Sequence, residues 1–171
     1  IAVISINAGS VNDVTLTAAG AITEDGDAAT VVRADELVAT AAGAITLDTT
    51  VATAALAATG AGDIDIDETD AIVLSDIDTN DGAITVDAGG QITATDVVSS
   101  NTDDHSNDIS LTTTAGDISV VTVDAGSAGD ATLNAAGSIT EDGSIATVLT
   151  ADVLTADAAG SVTLDTTVPS A

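Results

Sequence analysis

The stretch Ala18–Gly26, Ala-Ala-Gly-Ala-Ile-Thr-Glu-Asp-Gly, decides how this chain is interpreted, because it occurs twice. It returns at Ala135–Gly143 as Ala-Ala-Gly-Ser-Ile-Thr-Glu-Asp-Gly, 117 residues downstream. The same offset relates 1–54 to 118–171 without a gap, and roughly 60 per cent of the paired positions are identical. A fixed internal period is the signature of a repeat architecture. The chain therefore divides into one full repeat, 1–117, and the start of a second at 118.

Short apolar runs separated by glycine fill each long repeat. Apolar residues alternate with Thr, Ser, Asp or Ala, and this period of two is typical of half-buried β-strands. Glycine between the runs supplies backbone angles that other residues avoid. An Ile or Val stands two positions after each of Gly20, Gly43, Gly62, Gly82, Gly116, Gly137 and Gly160. Apart from one long step, their spacing predicts coils of about 20–23 residues.

Coils of this length predict an all-β protein, a parallel β-solenoid in which each coil stacks on the next at about 4.8 Å. One long repeat then holds about five or six coils. The alternative is a series of tandem β-sandwich domains, which normally have aromatic core residues, and this chain has none. The apolar residues expected to face inward are Val14, Leu16, Ile22, Leu37, Ile45, Leu47, Leu56, Ile64, Ile66, Ile72, Leu74, Ile84, Val86, Ile92, Ile109, Leu111, Ile118, Val120, Leu133, Ile139, Leu154, Val162 and Leu164.

The composition limits both the partners and the chemistry. The chain has 28 Asp and Glu against a single Lys or Arg, and its formal net charge is -27. Nucleic acid is excluded as a partner because phosphate neutralisation needs Lys and Arg. No apolar stretch reaches the length of a membrane span, so we expect no membrane insertion. Without Cys there is no disulfide and no thiolate metal site, and without Phe, Trp, Tyr or Met the core has to be thin.

The longest glycine step, from Gly82 to Gly116, indicates an insertion. Residues 97–108 are mostly polar and lose the apolar alternation after Val98. They predict an exposed loop on one side of the solenoid. The only His of the chain, His105, lies in this loop among aspartates. An exposed loop side chain is the simplest interpretation of it, and a transition-metal ligand is the alternative.

Three stretches resemble the repeats of filamentous-haemagglutinin-like surface proteins. They are Asp-Val-Thr-Leu-Thr-Ala-Ala-Gly-Ala-Ile-Thr-Glu-Asp-Gly (13–26), Gly-Asp-Ile-Asp-Ile-Asp-Glu-Thr-Asp (62–70) and Asn-Asp-Gly-Ala-Ile-Thr-Val-Asp-Ala-Gly-Gly-Gln-Ile-Thr-Ala (80–94). These very large bacterial proteins are secreted, and the repeats most resemble those in giant proteins of environmental bacteria such as planctomycetes. The resemblance implies a right-handed parallel β-helix, export, and a role in adhesion or in an extracellular fibre. The family's usual repeat is a single coil of about 20 residues, so the 117-residue period departs from it and leaves adhesin and fibre both open.

Nine acidic residues fall within 63–87. Inside this segment, Asp-Ile-Asp-Thr-Asn-Asp-Gly at 76–82 places oxygen ligands at alternate positions, as a calcium loop does. The EF-hand pattern has Gly at its sixth position, whereas here Gly is seventh. A solvated acidic face with diffuse counterions is the alternative. The candidate calcium ligands are Asp76, Asp78, Asn80 and Asp81.

No combination of residues typical of catalysis is present. The chain has no Lys, no Cys and one His, so we predict that it is not an enzyme and name no catalytic or cofactor-binding residue. The sequence predicts a structural repeat of a long extracellular filament or cell-surface stalk, whose partners are neighbouring repeats or chains of the same protein. The alternative is an adhesin arm that contacts a receptor, a surface or a polysaccharide through loops such as 97–108. Because residue 1 falls inside a repeat unit, we expect a slice of a longer protein.

Overall fold

The structure, a computed structural model, describes residues 1–24, 26, 31–144 and 148–168. Within these residues the chain is all-β without a helix, and parallel pairing of successive turns stacks it as a β-solenoid of about seven turns. The predicted fold class is confirmed, and tandem β-sandwich domains are not formed. The described strands are β1 (Ile6–Asn7), β2 (Val14–Ala18), β3 (Ile22–Thr23), β4 (Val32–Ala41), β5 (Ile45–Ala61), β6 (Ile64–Glu68), β7 (Ile72–Asp81), β8 (Ile84–Ala88), β9 (Ile92–Ala94), β10 (Val97–Val98), β11 (Ile109–Thr113), β12 (Ile118–Val120), β13 (Thr122–Asp124), β14 (Ala131–Ala135), β15 (Ile139–Glu141), β16 (Val148–Thr150), β17 (Leu154–Ala158), β18 (Val162–Thr163) and β19 (Thr166–Thr167).

One column of residues stacked in register shows how the turns differ in length. Its members are Ala2, Thr23, Thr46, Asp65, Thr85, Ser110, Thr132 and Thr155. In this column the shortest turn runs from Thr46 to Asp65 and the longest from Thr85 to Ser110. At another position in the coil, Val32 pairs with Thr49, which makes that turn shorter still. Turn length thus varies more than the glycine spacing predicts, because the corners absorb the difference while the strands stay paired.

Each turn crosses three parallel ladders, which we call faces A, B and C in the order that the chain meets them. Face A contains β3, β6, β8, β11, β14, β17 and residues 45–49 of β5. Face B contains β9, β12, β15, β18, residues 51–54 of β5 and residues 72–74 of β7. Face C contains β2, β10, β13, β16, β19 and the later parts of β4, β5 and β7.

The core is built from aliphatic columns that run the length of the solenoid. On face A, Ile22, Ile45, Ile64, Ile84 and Ile109 stack directly on one another, and each is at most 1% exposed. Identical branched side chains in register fill a narrow interior without aromatic residues, and each fully buried one contributes about 1.5–3 kcal/mol. The expected inward residues are buried except for four in the end turns, which have a neighbour on one side alone: Leu16, Leu154, Val162 and Leu164.

Equivalent stretches of the two long repeats lie on different faces. β2 lies on face C, where it pairs with residues 37–41. Its counterpart in the second repeat, β14, lies on face A between β11 and β17. Five turns along the stacked column lead from Thr23 to Thr132. The residue of the second repeat that is equivalent to Thr23 in sequence is Thr140, eight residues further along the chain. The long repeat therefore spans about five and one-third turns, and each equivalent element advances by one face.

The long step from Gly82 to Gly116 has two causes. The amide oxygen Oδ1 of Asn107 accepts a hydrogen bond from the Gly82 N–H at 3.1 Å, so Asn107 occupies the corner one turn after Gly82. The remaining nine residues carry the chain along face A to the next corner, where Gly116 precedes face B. The long step thus combines a lengthened turn with a shift of the glycine corner.

Replacing Ile109 by Asp should disrupt the central turns, because it buries a carboxylate without a partner among aliphatic neighbours. We expect a loss of several kcal/mol in the free energy of unfolding, measured by urea denaturation. Ser110→Asp is the matched control, since Ser110 follows on the same strand and points outward. It should change stability by less than about 1 kcal/mol. Equal losses in the two variants would contradict the assigned orientation of the strand.

Candidate functional site

The densest acidic feature is a ladder of aspartates on the outer side of face A. Asp48, Asp67 and Asp87 are Cα partners on three successive turns, so their backbone positions lie about 4.8 Å apart. Asp65 stands beside them on β6, and its pKa is raised by burial first and then by the charges of Asp67, Asp87 and Asp63. In-register stacking therefore concentrates negative charge along one edge of the face.

A groove of about 400 Å³ runs alongside this ladder where face A turns towards face B. Its lining combines the three aspartates with Val31, Glu68 and Thr114. A groove with carboxylates on one wall attracts cations.

Glu68 is the buried carboxylate of this corner, with 4% of its surface exposed. Its Oε2 accepts hydrogen bonds from the Thr49 hydroxyl at 2.8 Å and from the Val51 N–H at 3.0 Å, both on the preceding turn. Its Oε1 accepts one from the Asp70 N–H at 3.1 Å. Burial raises the pKa of Glu68, while the bonds from Thr49, Val51 and the Asp70 backbone act in the opposite direction. Glu68 thus ties two turns together at a corner and was not among the residues singled out from the sequence.

The candidate calcium ligands lie at the end of β7 on face C. Asp76, Asp78 and Asn80 alternate outward along an extended strand, so the first and last Cα atoms are about 13 Å apart. The pKa of Asp78 is raised, first of all by burial. The charge of Asp76, a hydrogen bond with the Asp76 carboxyl group and the charge of Asp96 raise it further. The structure therefore brings Asp76, Asp78 and Asp96 together on the outer surface.

The fourth candidate, Asp81, faces the polar segment 97–108. Its Oδ1 accepts a hydrogen bond from the Thr102 hydroxyl at 3.3 Å. Near the two ends of the segment, Ser99 and Asn107 are fully buried. Asn107 Nδ2 donates a hydrogen bond to Thr102 Oγ1 at 2.8 Å, and the Asn107 carbonyl oxygen accepts one from the Ser99 hydroxyl at 2.5 Å. Residues 101–106 between these ends are exposed. The predicted loop is thus exposed in its middle and held to the solenoid at both ends.

The exposed part of this loop rests on the following turn. Asp103, at a positive φ of 49°, accepts hydrogen bonds from the Ser127 hydroxyl and N–H at 2.7 Å and from the Ala128 N–H at 3.0 Å. The side-chain and backbone bonds from Ser127 lower the pKa of Asp103. His105 is exposed, and its Nδ1 lies 2.9 Å from the Ala128 carbonyl oxygen. Both side chains therefore serve to hold the loop against the next turn.

The stacked carboxylates concentrate negative charge, which attracts cations from solution. Within 1–24, 26, 31–144 and 148–168, no three or more His, Cys, Asp or Glu side chains form a group that could hold a metal ion. Calcium binding by Asp76, Asp78, Asn80 and Asp81 stays a prediction. A helix of the length and apolarity needed to cross a membrane is also absent from the described part of the chain.

Comparisons of the chain with models of protein families, with curated proteins and with solved structures found no match. The chain is therefore identified as a β-solenoid, and no family is assigned to it. Its function has to be inferred from the geometry of its faces and corners.

Replacing Glu68 by Ala should destabilise the solenoid, because the Val51 and Asp70 N–H groups lose their acceptor. An unsatisfied buried donor costs about 1–3 kcal/mol, measurable by urea denaturation at pH 7. Asp67→Ala is the matched control on the same strand: it removes an outward carboxylate from the ladder and should be neutral or stabilising. A Glu68→Ala variant as stable as the parent chain would contradict the proposed role of these hydrogen bonds.

Mild acid should stabilise the chain. Asp65, Glu68 and Asp78 have raised pKa values in the folded state. Their stabilising contribution is fully present below the pKa values of the unfolded chain and is lost as the pH rises through the folded-state values. We expect the thermal midpoint to increase as the pH is lowered from 7 towards about 5 at constant ionic strength.

Two comparisons make this pH dependence specific. The double variant Asp65→Asn, Asp78→Asn should show a flatter profile, because two of the responsible carboxyl groups are gone. Asp103 contributes in the opposite sense: its lowered pKa gives stability that is lost as the pH falls through the folded-state value. A midpoint that is constant or falls between pH 7 and 5 would contradict the raised pKa values.

The calcium prediction is tested by thermal melts in chelator, in sodium chloride and in calcium chloride at matched ionic strength. Screening of the net charge of -27 raises the midpoint in both salts. Specific coordination raises it further in calcium, and the excess grows with the logarithm of the calcium concentration. The excess should disappear in Asp76→Asn, Asp78→Asn. Equal midpoints in the two salts would leave diffuse counterions as the explanation.

Proposed function

We propose that this chain is a structural segment of an extracellular filament or cell-surface stalk. The observation that supports the proposal is the uninterrupted parallel pairing along face A, from β3 through β5, β6, β8, β11 and β14 to β17. In such a fold each added turn lengthens the rod by about 4.8 Å and extends the aliphatic columns by one layer. Length then increases with repeat number while the cross-section stays constant, as a filament requires.

The surface chemistry is consistent with a spacer that stays in water. The net charge of -27 keeps rods of this kind soluble and apart. The proposed partners are neighbouring repeats and other copies of the same chain, and the proposed role requires no catalytic residue. The extracellular location rests on the resemblance of the repeats to those of secreted bacterial proteins.

A second candidate function is an adhesin arm. The observation that favours it is the exposed loop 101–106, which is anchored by buried Asn107 and braced on the next turn through Asp103. A loop held in one conformation loses little entropy on binding a receptor, a surface or a polysaccharide. This candidate differs from the first in requiring that the loop makes the contact.

Immunoelectron microscopy of the native material distinguishes the two candidates. An antibody against residues 97–108 should label uniform extracellular fibres at regular intervals if the chain is a filament segment. Isolated stalks rooted in cells, whose attachment to a surface is blocked by the same antibody, would favour the adhesin arm. Label confined to the cell interior would overturn both.

A further inference from the structure

The Asp-Gly steps of this chain differ in how tightly the solenoid holds them. An aspartate that precedes glycine is prone to isomerise without an enzyme, because glycine has no side chain to hinder attack by its backbone nitrogen on the aspartate carboxyl group. Such steps occur at 25–26, 81–82 and 142–143. Asp25 lies outside the described residues, so the structure allows a comparison of the second step with the third.

The step at Asp81 lies in a closed corner. The N–H of the buried Gly82 donates a hydrogen bond to Asn107 Oδ1 at 3.1 Å, and the Gly82 carbonyl oxygen accepts one from the Thr79 hydroxyl at 2.7 Å. A Cβ built on Gly82 would stand 2.5 Å from the Gly62 carbonyl oxygen, so the backbone of the preceding turn packs directly on this glycine. Attack by the Gly82 nitrogen would deprive buried Asn107 of its donor and would require a movement that close packing opposes.

The step at Asp142 lies in an open corner, where the chain leaves β15 on face B. Asp142, Gly143 and Ser144 are exposed, and a Cβ built on Gly143 would meet no atom within 4 Å beyond its chain neighbours. The Ser144 N–H donates a hydrogen bond to Asp142 Oδ1 at 2.9 Å, which bends the carboxyl group over the Gly143 peptide bond. The Gly143 N–H donates to Glu141 Oε2 at 2.7 Å, so a carboxylate is in place to take up its proton.

We propose that Asp142 is a site of spontaneous isomerisation to isoaspartate and that the fold protects Asp81 from the same reaction. The Gly143 nitrogen loses its proton and forms a bond to Cγ of the protonated Asp142 carboxyl group, while the bond from Cγ to the hydroxyl oxygen breaks and water leaves. Water then opens the resulting succinimide ring. Opening at the Cγ carbonyl restores aspartate, and opening at the main-chain carbonyl gives isoaspartate. One water is released and one is taken up, so the net charge of -27 is unchanged.

This corner tolerates the product. Isoaspartate carries the main chain through its side-chain carbon and lengthens it by one atom, in a corner where the solenoid already absorbs differences in turn length. The strands on either side, β15 and β16, are each held by pairing with the turns before and after them. The first repeat has the same Glu-Asp-Gly sequence at 24–26, and the Gly26 N–H donates to Glu24 Oε2 there as well. The reactive corner therefore recurs with the 117-residue period, whatever role the rod has.

Peptide mapping of the folded 171-residue chain tests the proposal. The chain is kept for several weeks at about pH 5, where a fraction of the aspartate carboxyl groups is protonated. Isoaspartate at each step is then measured by electron-transfer dissociation of the peptides. We expect it to accumulate at Asp142 and to form at Asp81 at least about tenfold more slowly, the factor that one buried hydrogen bond implies. In urea, which unfolds the chain, the two steps should react at similar rates.

Gly143→Ala is the matched variant, because the added methyl group hinders the attacking nitrogen at an exposed position. It should suppress isoaspartate at residue 142 and leave the rate at Asp81 unchanged. A folded chain in which Asp142 stays unmodified while the chain in urea reacts would overturn the open corner. Equal accumulation at the two steps of the folded chain would overturn the protection of Asp81. An unchanged rate at Asp142 in the Gly143→Ala variant would contradict attack by the Gly143 nitrogen.

Discussion

In-register stacking of each turn on the previous one is the constraint on which the rest of the structure depends. Once the strands of one turn are paired, each residue of the next turn lies about 4.8 Å above a fixed partner and points the same way. The columns of isoleucine on faces A and B follow from it, because the same small aliphatic shape recurs at the same place on every turn. A core of this kind needs no aromatic residue, and the chain has none.

The same constraint places like charges on like charges. Asp48, Asp67 and Asp87 are stacked by the pairing that stacks the isoleucines, and their repulsion is a cost of the fold. The corners offset it with local hydrogen bonds that join consecutive turns: Glu68 binds the preceding turn, Asn107 fills a corner, and Asp103 binds the following one. Of the carboxylates named here, those of the aspartate ladder repel one another on face A, whereas Glu68 and Asp103 join consecutive turns.

The sequence predicts which residues of each strand face inward, because inward and outward residues alternate along a strand. It predicts much less of what depends on the length of the turns. Alternation identifies the inward side of every strand, and extending it from Ile64 and Ile66 by one more step would have predicted that Glu68 faces inward. The aspartate ladder could not be predicted in the same way, since it requires the exact lengths of the two turns that separate its three members. Stacked strands can shift by a whole pair of residues without changing parity, so the corners decide the register.

The face of each repeated element depends on turn length in the same way. Gly20 and Gly137 are equivalent in sequence, but the first precedes face A and the second precedes face B, because the long repeat does not contain a whole number of turns. The predicted calcium ligands illustrate a different limit. Their spacing matches a loop, whereas the chain there is an extended strand that separates Asp76 from Asn80.

The offset between the 117-residue period and the turn makes the sequence repeat act as a screw operation rather than a translation. Each application advances the chain by about 26 Å along the axis and rotates it by roughly 120°. If the period continues with the same turn lengths, equivalent surfaces regain their original azimuth after three repeats, about 16 turns and 77 Å. A rod of this kind has no sidedness: the aspartate ladders of successive repeats face three directions in turn. Molecules that bind the ladders would surround such a rod and would not line one side of it.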